Sequence, residues 1–390
     1  MNVSVKTSFL ACVLLSLAGA ATLRAATVYQ GTDFKLRHKG LVRNVFTSGR
    51  TLELYGASGR YVYDIQRLRS DWFASFKGSF RAALVYDHEL RSGDYLQTAE
   101  YKSFTAFEPV ELVNLDSRIA SGRQVSWRHR LYRFFIEYDS YPLRISAGRQ
   151  QVSWGTGYFW NPTDLFNPVT FALVEQGERH GADAVNLELA LGTLSQLQLV
   201  WAPARDPHQG RGAARVKTNF ADYDFSVMGG RFFRDRVAGA DFSGQIAGAG
   251  FRGEWLHNFT DSGADYDQLV LGLDYRLSSS FTMTGEYLYN SGALSEFEVL
   301  ELFSRAQSGA VFSISKHLGG LYADYQPHPL VHLAGYLSVD LEEGGVFLGP
   351  RLSWNVLPDT DLEAGALLST GDGEFSLLEN TFYCSLSWYF

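Results

Sequence analysis

Three short motifs in the sequence have spacings that could carry chemistry. Gly248, Gly250 and Gly253 match the GxGxxG pattern of a phosphate-binding loop, which needs a helix N-terminus directly behind it to hold the phosphate. The residues that follow Gly250 alternate between apolar and charged types, as in a β-strand. The sequence therefore predicts no phosphate site here.

The other two motifs would serve nucleophilic catalysis or metal binding. Ser313 and Lys316 have the SxxK spacing in which a lysine activates a serine, but we expect a strand, in which residues three apart face opposite sides. His328 and His332 could share a face, but Pro329 marks a turn between them and no third ligand is near in sequence. We predict no catalytic residue, no metal site and no cofactor.

Charge is unevenly distributed along the chain. The net charge is -8, which disfavours nucleic acid as a partner because such partners select a basic surface. Residues 27–180 carry 20 Lys and Arg against 16 Asp and Glu, whereas residues 181–390 carry 12 against 26. Basic groups are thus concentrated in the first half.

The elements that must position these charges follow a two-residue period. Leu269, Leu271 and Leu273, for example, alternate with Gly272 and Asp274, as expected for a strand with one apolar and one polar face. A soluble β-sandwich would show the same alternation. Connection lengths favour a different fold, because very short and mostly longer connections alternate between about 18 predicted strands, as in outer-membrane barrels.

We therefore predict an all-β fold, a transmembrane antiparallel β-barrel of about 18 strands with an inward-folded constriction loop. Eighteen strands spaced about 4.8 Å apart and tilted by about 40° give a backbone diameter near 35 Å. Side chains cannot fill such a lumen, so it must hold water and be narrowed by a loop.

Both ends of the sequence carry export signals. Lys6, an apolar run over 9–19 and a small-residue cleavage site at Ala25 predict a signal peptide over 1–25, leaving 26–390 as a single barrel domain. Leu386, Trp388 and Phe390 alternate with polar residues at the other end. Any amphipathic last strand could show this pattern, but after an export signal it predicts the strand that the barrel-assembly machinery reads.

Residues 154–181 form the predicted constriction loop. Aromatic residues are frequent in it, and two Asn-Pro steps set rigid turns. The alternative is a rigid brace that contacts no solute. The loop contributes these predicted constriction residues: Trp154, Tyr158, Asn161, Pro162, Asp164, Asn167 and Pro168.

The same stretch resembles a broad group of bacterial outer-membrane porin-like barrels that includes alginate-export-type proteins. Its matching features are Gly148-Arg149-Gln150, Trp154-Gly155 and the two Asn-Pro steps, about 20 residues in all. The resemblance implies a barrel of this group and specifies no substrate.

Charged side chains opposite the apolar partners should point into the lumen, because a charge facing lipid costs about 2–4 kcal/mol at mid-membrane. Arg133, Arg144 and Arg149 are predicted to flank the constriction loop and favour anions, with Asp164 as a counterweight. Ordinary salt bridges along the wall are the alternative. The predicted lumen-lining residues are Arg81, Glu137, Arg215, Lys217, Arg252, Glu254, Asp274, Arg276, Glu286 and Arg351.

These features predict a passive channel in the bacterial outer membrane for small hydrophilic solutes, anionic ones included, and not an enzyme. Its expected partners are outer-membrane lipids, the barrel-assembly machinery and small polar solutes. Two alternatives are an outer-membrane enzyme that uses the barrel as a platform and a barrel that sheathes a protein partner.

Overall fold

The alternating sequence folds into one continuous antiparallel sheet in the computed structural model, which describes residues 26–52, 58–106, 111–167, 181–293 and 313–390. The predicted signal peptide lies outside these residues. No helix among the described residues is long and apolar enough to cross a membrane.

Twenty strands and a few short helices make up this part of the chain. The strands are β1 Ala26–Gln30, β2 Phe34–Arg50, β3 Arg60–Phe76, β4 Phe80–Gly93, β5 Asp116–Ser121, β6 Val125–Ser140, β7 Leu143–Gln150, β8 Ala182–Ala190, β9 Gln196–Ala202, β10 Arg211–Phe220, β11 Tyr223–Phe232, β12 Asp235–Ile246, β13 Ala249–Phe259, β14 Tyr266–Ser278, β15 Phe281–Asn290, β16 His317–His328, β17 Val331–Asp340, β18 Val346–Leu357, β19 Thr360–Thr370 and β20 Thr381–Tyr389. The helices are α1 Ala99–Ala106 and the 3-10 turns Asp94–Gln97, Pro207–Gln209 and Gly373–Leu377.

Eighteen of these strands close into a barrel, which confirms the predicted fold and strand number. Each pairs with the next along the chain, and β20 returns to β2 in a register that runs from Leu41 opposite Tyr389 to Gly49 opposite Thr381. The two remaining strands are short and were not predicted. β1 pairs with the start of β2, and β5 pairs with β6 alongside the space that the short β7 leaves open.

Every barrel strand presents two different faces. In β13 and β14, Trp255, Leu271 and Leu273 are exposed, whereas the alternating Glu254 and Val270 are buried. We call the first the apolar face and the second the polar face. The alternation carries around the barrel, so one face is lined by exposed aliphatic and aromatic side chains and the other by charges.

The two rims differ in the length of their connections. On the short rim, turns of a few residues such as 77–79, 221–222 and 247–248 join the strands. Ala221 and Asp222 have φ of 53° and 63°, the left-handed backbone that two-residue hairpin turns require. The long rim carries the connections 94–115, 151–181 and 291–316.

The C-terminal residue completes the seam between β2 and β20. The amide of Phe390 donates to the carbonyl of Gly40 at 2.9 Å, and the amide of Gly40 donates back at 2.5 Å. The Phe390 ring lies so close over Gly40 that a Cβ there would be 2.2 Å from it. A side chain larger than glycine would displace the ring.

Candidate functional site

The first part of the connection between β7 and β8 leaves the sheet and packs against the polar face. We call its described part, residues 151–167, the anchored segment. Trp154 and Phe166 are buried against Met228 and Phe232, and Trp160 is buried in a second cluster with Leu288 and Leu318. The two clusters also include residues of β8, β9, β18 and β19, so apolar packing fixes the segment to much of the polar face.

Glu254 of β13 is the first of two carboxylates that hold this segment. Its Oε1 accepts hydrogen bonds from the backbone amides of Thr156 and Gly157, the latter at 2.6 Å. Its Oε2 accepts from the amide and the hydroxyl of Thr163, at 3.2 and 2.8 Å. The tight fold of the segment requires glycine at 157, since a Cβ there would lie 1.9 Å from the carbonyl oxygen of Trp160.

Glu286 of β15 is the second carboxylate. It accepts from the backbone amides of Tyr158, Phe159 and Trp160, with distances of 2.6 Å for Phe159 and 3.4 Å for Trp160. Successive amides that converge on one carboxylate form an anion-binding concavity. Backbone dipoles thus stabilise both buried carboxylates, and the guanidinium of Arg252 lies 3.8 Å from Glu286 in addition.

The base of the segment is closed by its own polar side chains. The side chain of Asn167 accepts a hydrogen bond from the amide of Val152 at 2.6 Å, and the side chain of Asp164 accepts one from the amide of Trp154 at 3.3 Å. These bonds bring the two ends of the segment together, so residues 155–163 form a loop whose ends lie close to each other. Asp164 is 1% exposed and serves within the segment. Pro168 lies outside the described residues.

Asn161 and Pro162 form the turn within this loop. The carbonyl of Asn161 accepts a hydrogen bond from the amide of Asp164 at 3.1 Å, and Pro162 is buried. The predicted rigid turn is therefore present at this Asn-Pro step.

Tyr158 is the segment's exposed aromatic side chain, with 39% of its surface accessible. Its ring centroid lies 4.7 Å from that of Tyr322 on β16. Burial raises the pKa of Tyr158 above its ordinary value, the hydrogen bond with Tyr322 adds to the increase, and the positive charge of Arg351 on β18 opposes it. Arg351 thus lies within electrostatic range of the segment.

Of the three arginines predicted to flank the loop, Arg133 lies at its base. Its guanidinium donates to the side chain of Gln151 at 2.9 Å. Arg144 does not adjoin the segment, because it lies at the short-rim end of β7 and pairs with Asp139 at 3.0 Å and Glu188 at 3.2 Å. That placement corrects the prediction.

Arg149 requires a second correction, because it lies on the apolar side of β7. Regular alternation continues through the strand, and Arg149 pairs with Asp183 of β8 at 2.8 Å. It also donates to the carbonyl of Val113 at 2.6 Å. The residues before β5 cover this ion pair, which explains how a charge is buried there.

The predicted wall charges share the polar face, and many are paired with each other. Arg276 and Arg351 share this face by strand alternation. Their ion pairs, with one another or with other acids of this face, include Arg81 with Glu137 at 3.0 Å, Arg215 with Asp241 at 2.9 Å, Lys217 with Asp224 at 2.8 Å and Arg252 with Asp274 at 2.5 Å. Wall salt bridges, the alternative left open by the sequence, describe these pairs well.

Sequence reasoning missed a denser network on β3, β4 and β6, which we call the arginine wall. Arg69 makes two bonds of 2.7 Å to Asp87, and Arg67 lies 3.1 Å from Asp87 and 2.9 Å from Glu89. Arg130 of β6 pairs with Asp116 of β5. The sequence does contain a pattern that indicates this network: three R-x-R or D-x-E repeats. Like charges two residues apart point to the same face of a strand.

The motifs set aside by spacing have other roles in the structure. Residues 249–253 are part of β13, as predicted. Ser313 and Lys316 precede β16 instead of lying in a strand, which corrects our reason for rejecting that motif, and Ser313 donates to Glu374 at 2.7 Å. Among the described residues no group of three or more His, Cys, Asp or Glu could hold a metal ion.

Comparison with solved structures places the fold. The chain resembles the outer membrane protein OpdK of Pseudomonas aeruginosa with a TM-score of 0.57 at 9% identity, over 91% of this chain and 98% of that one. It resembles OccK5 (OpdH) of the same organism with a TM-score of 0.56 at 9% identity, over 92% and 98%. OccAB3 of Acinetobacter baumannii gives 0.55 at 11% identity, over 91% and 99%.

The fold is therefore the porin-like β-barrel predicted from the sequence. No family model matches the sequence, and no curated protein matches it significantly. The three structures named above are Occ and Opd proteins, so the finer resemblance to alginate-export proteins has no support from them.

Proposed function

We propose that the protein is an outer-membrane channel for the passive diffusion of small hydrophilic solutes, anionic ones included. The observation that carries this proposal is the closed 18-stranded barrel with a charged polar face and a segment fastened across part of that face. In this proposal the polar face lines a water-filled lumen, and the exposed apolar face contacts lipid. A barrel of about 35 Å between backbones has room for water wherever no segment enters.

The anchored segment would narrow this lumen. Its buried aromatic residues share apolar clusters with residues of β8, β9 and β11 to β16 and with Phe347 of β18 and Leu367 of β19, whereas these clusters of described residues contain no residue of β2 to β6. Solutes would then pass between Tyr158 and the wall formed by β2 to β6. A location in the outer membrane also implies that the barrel-assembly machinery recognises β20, with Leu386, Trp388 and Phe390.

Two basic groups of the polar face favour anions. Arg351 lies within electrostatic range of Tyr158. The guanidinium of Arg43 lies 4.0 Å from the carboxylate of Glu363, which makes a weak ion pair. Field at the narrowest cross-section outweighs distant charge, because the Debye length is about 8 Å at physiological salt. Carboxylate-bearing solutes would therefore be favoured there despite the net negative charge.

A planar bilayer under a salt gradient tests the proposal. The wild-type protein should form discrete conducting events with a reversal potential on the anion side, and Arg351→Gln should shift it toward cations. Arg276→Gln, a change of equal charge on the polar face at the short rim, should shift it less. Failure to conduct would contradict the channel. Lipase activity in the same preparation would favour an enzyme on a barrel platform.

A further inference from the structure

The apolar face carries a pair of positive charges beside the turn between β11 and β12. Arg231 of β11 and Arg236 of β12 are directly opposite each other next to the hairpin turn at the long rim. Strand alternation places both on the same face as the exposed Val227, and both are exposed. Arg234, also exposed, sits in the turn between the two strands.

This pair is electrostatically unfavourable without a counterion. Side chains directly opposite in an antiparallel sheet have Cβ atoms about 4.5–5.5 Å apart, and like charges there are destabilising. No carboxylate of the described residues forms an ion pair with Arg231, Arg234 or Arg236. Arg231 Nε donates a hydrogen bond to the carbonyl of Phe233 at 3.1 Å.

The register of β9 to β13 shows what surrounds the pair. The row across the strands runs Trp201, Gly212, Arg231, Arg236, Phe259. Trp201 and Phe259 are 61% and 46% exposed. Two cations are therefore flanked by two aromatic side chains, the residue type enriched where a membrane protein meets the lipid headgroups.

The rows toward the barrel's middle are uncharged or small. The next row runs Leu199, Ala214, Gly229, Ala238, His257, and the row after it runs Leu197, Val216, Val227, Ala240, Trp255. His257 is engaged with Asp267 at 2.9 Å. An apolar surface thus continues directly below the two arginines.

We propose that Arg231 and Arg236 bind the phosphate of a phosphorylated lipid in the outer leaflet, whose acyl chain lies over the apolar rows. Guanidinium groups bind phosphate through paired hydrogen bonds, and the long rim is the extracellular one in barrels of this kind. The inference rests on the proposed membrane location, but it does not require that the barrel conduct.

Native mass spectrometry of the detergent-solubilised full chain tests this binding. The probes are dioleoyl phosphatidic acid, its dephosphorylated form dioleoylglycerol, and inorganic phosphate. We expect binding of phosphatidic acid to exceed that of dioleoylglycerol. Arg231→Gln with Arg236→Gln should weaken phosphatidic acid binding by at least about tenfold, the scale of one lost charge-assisted contact.

The matched control is Arg37→Gln with Arg276→Gln, which removes two exposed arginines from the polar face. It should leave lipid binding unchanged. Equal binding of the two lipids by the wild-type protein would overturn the proposal, and that comparison needs no variant to fold. Equal loss in both double variants, or inorganic phosphate binding as tightly as the lipid, would overturn it as well. Loss of conductance alone would contradict only the channel.

Discussion

The arginine wall and the anchored segment both bury carboxylates, but they neutralise them differently. On the wall, Asp87 is 1% exposed and lies between Arg67 and Arg69. Beneath the segment, Glu254 is 2% exposed and is held by backbone amides and one hydroxyl. Cations on neighbouring strands stiffen a sheet, whereas amide donors fasten a segment to it. The binding partner of each acid therefore shows what that acid holds together.

Loss of Asp87 should have the largest effect on stability. Asp87→Ala leaves two buried guanidinium groups without their shared carboxylate, and breaking a buried pair costs about 3–5 kcal/mol. Unfolding by urea in lipid vesicles, followed by tryptophan fluorescence, measures the free energy of unfolding. The control is Asp224→Ala, whose pair with Lys217 is roughly two-fifths exposed and should contribute about 0–1 kcal/mol. Equal losses of unfolding free energy in the two variants would mean that burial does not strengthen the ion pairs of the arginine wall.

Deletion of Phe390 tests the seam that joins the two sides of the barrel. The variant loses the burial of a phenyl ring, about 1.5–3 kcal/mol, together with two backbone bonds to Gly40. We expect less outer-membrane insertion, measured by heat-modifiable migration and surface labelling. Phe382→Ala, at an exposed position on the same strand, should insert normally. Normal insertion of the deletion variant would disprove the role of the terminal residue.

A single carboxylate replacement tests the fastening of the segment. Glu254→Gln substitutes an amide for one acceptor oxygen, so donors of the segment face another donor, at a cost of about 1–3 kcal/mol. Hydrogen–deuterium exchange over residues 155–163 should become faster. Glu137→Gln, which affects the wall pair with Arg81, should leave that exchange unchanged. Protection identical to wild type would show that packing alone holds the segment.

The smallest expected effect concerns Glu374 at the long rim, which accepts from Ser313, Ile314 and Ser315. Burial raises the pKa of this carboxyl from 4.5 to about 6. Between those values the folded chain binds more protons than the unfolded one, so the contact is most stable below pH 4.5 and weakens as the pH rises to about 6.

Amide exchange of residues 313–316, corrected for the intrinsic pH dependence, should therefore speed up across that interval. Glu374→Gln, which cannot titrate, should remove the change. A flat wild-type profile would mean that Glu374 keeps an ordinary pKa.

Period-two alternation and connection lengths predicted the barrel, because both are local properties of a strand in a two-faced sheet. The pairing of the charges was not predictable in the same way. Arg149 lies on the apolar side, against our prediction, and both its partner Asp183 and its cover at Val113 are distant in sequence. Glu254 was predicted to face the lumen, but its contacts with Thr156 and Gly157 come from a loop 97 residues or more away.

Single-channel conductance after shortening the anchored segment tests the account most directly. Residues 155–163 can be replaced by Gly-Ser-Gly, because the amide of Trp154 and the carboxylate of Asp164 are already 3.3 Å apart. Since the segment is proposed to narrow a wide barrel, conductance should rise several-fold, with Tyr158→Ala giving a smaller increase. Conductance equal to wild type in the shortened protein would contradict the account, because the segment would then not narrow the path of the ions.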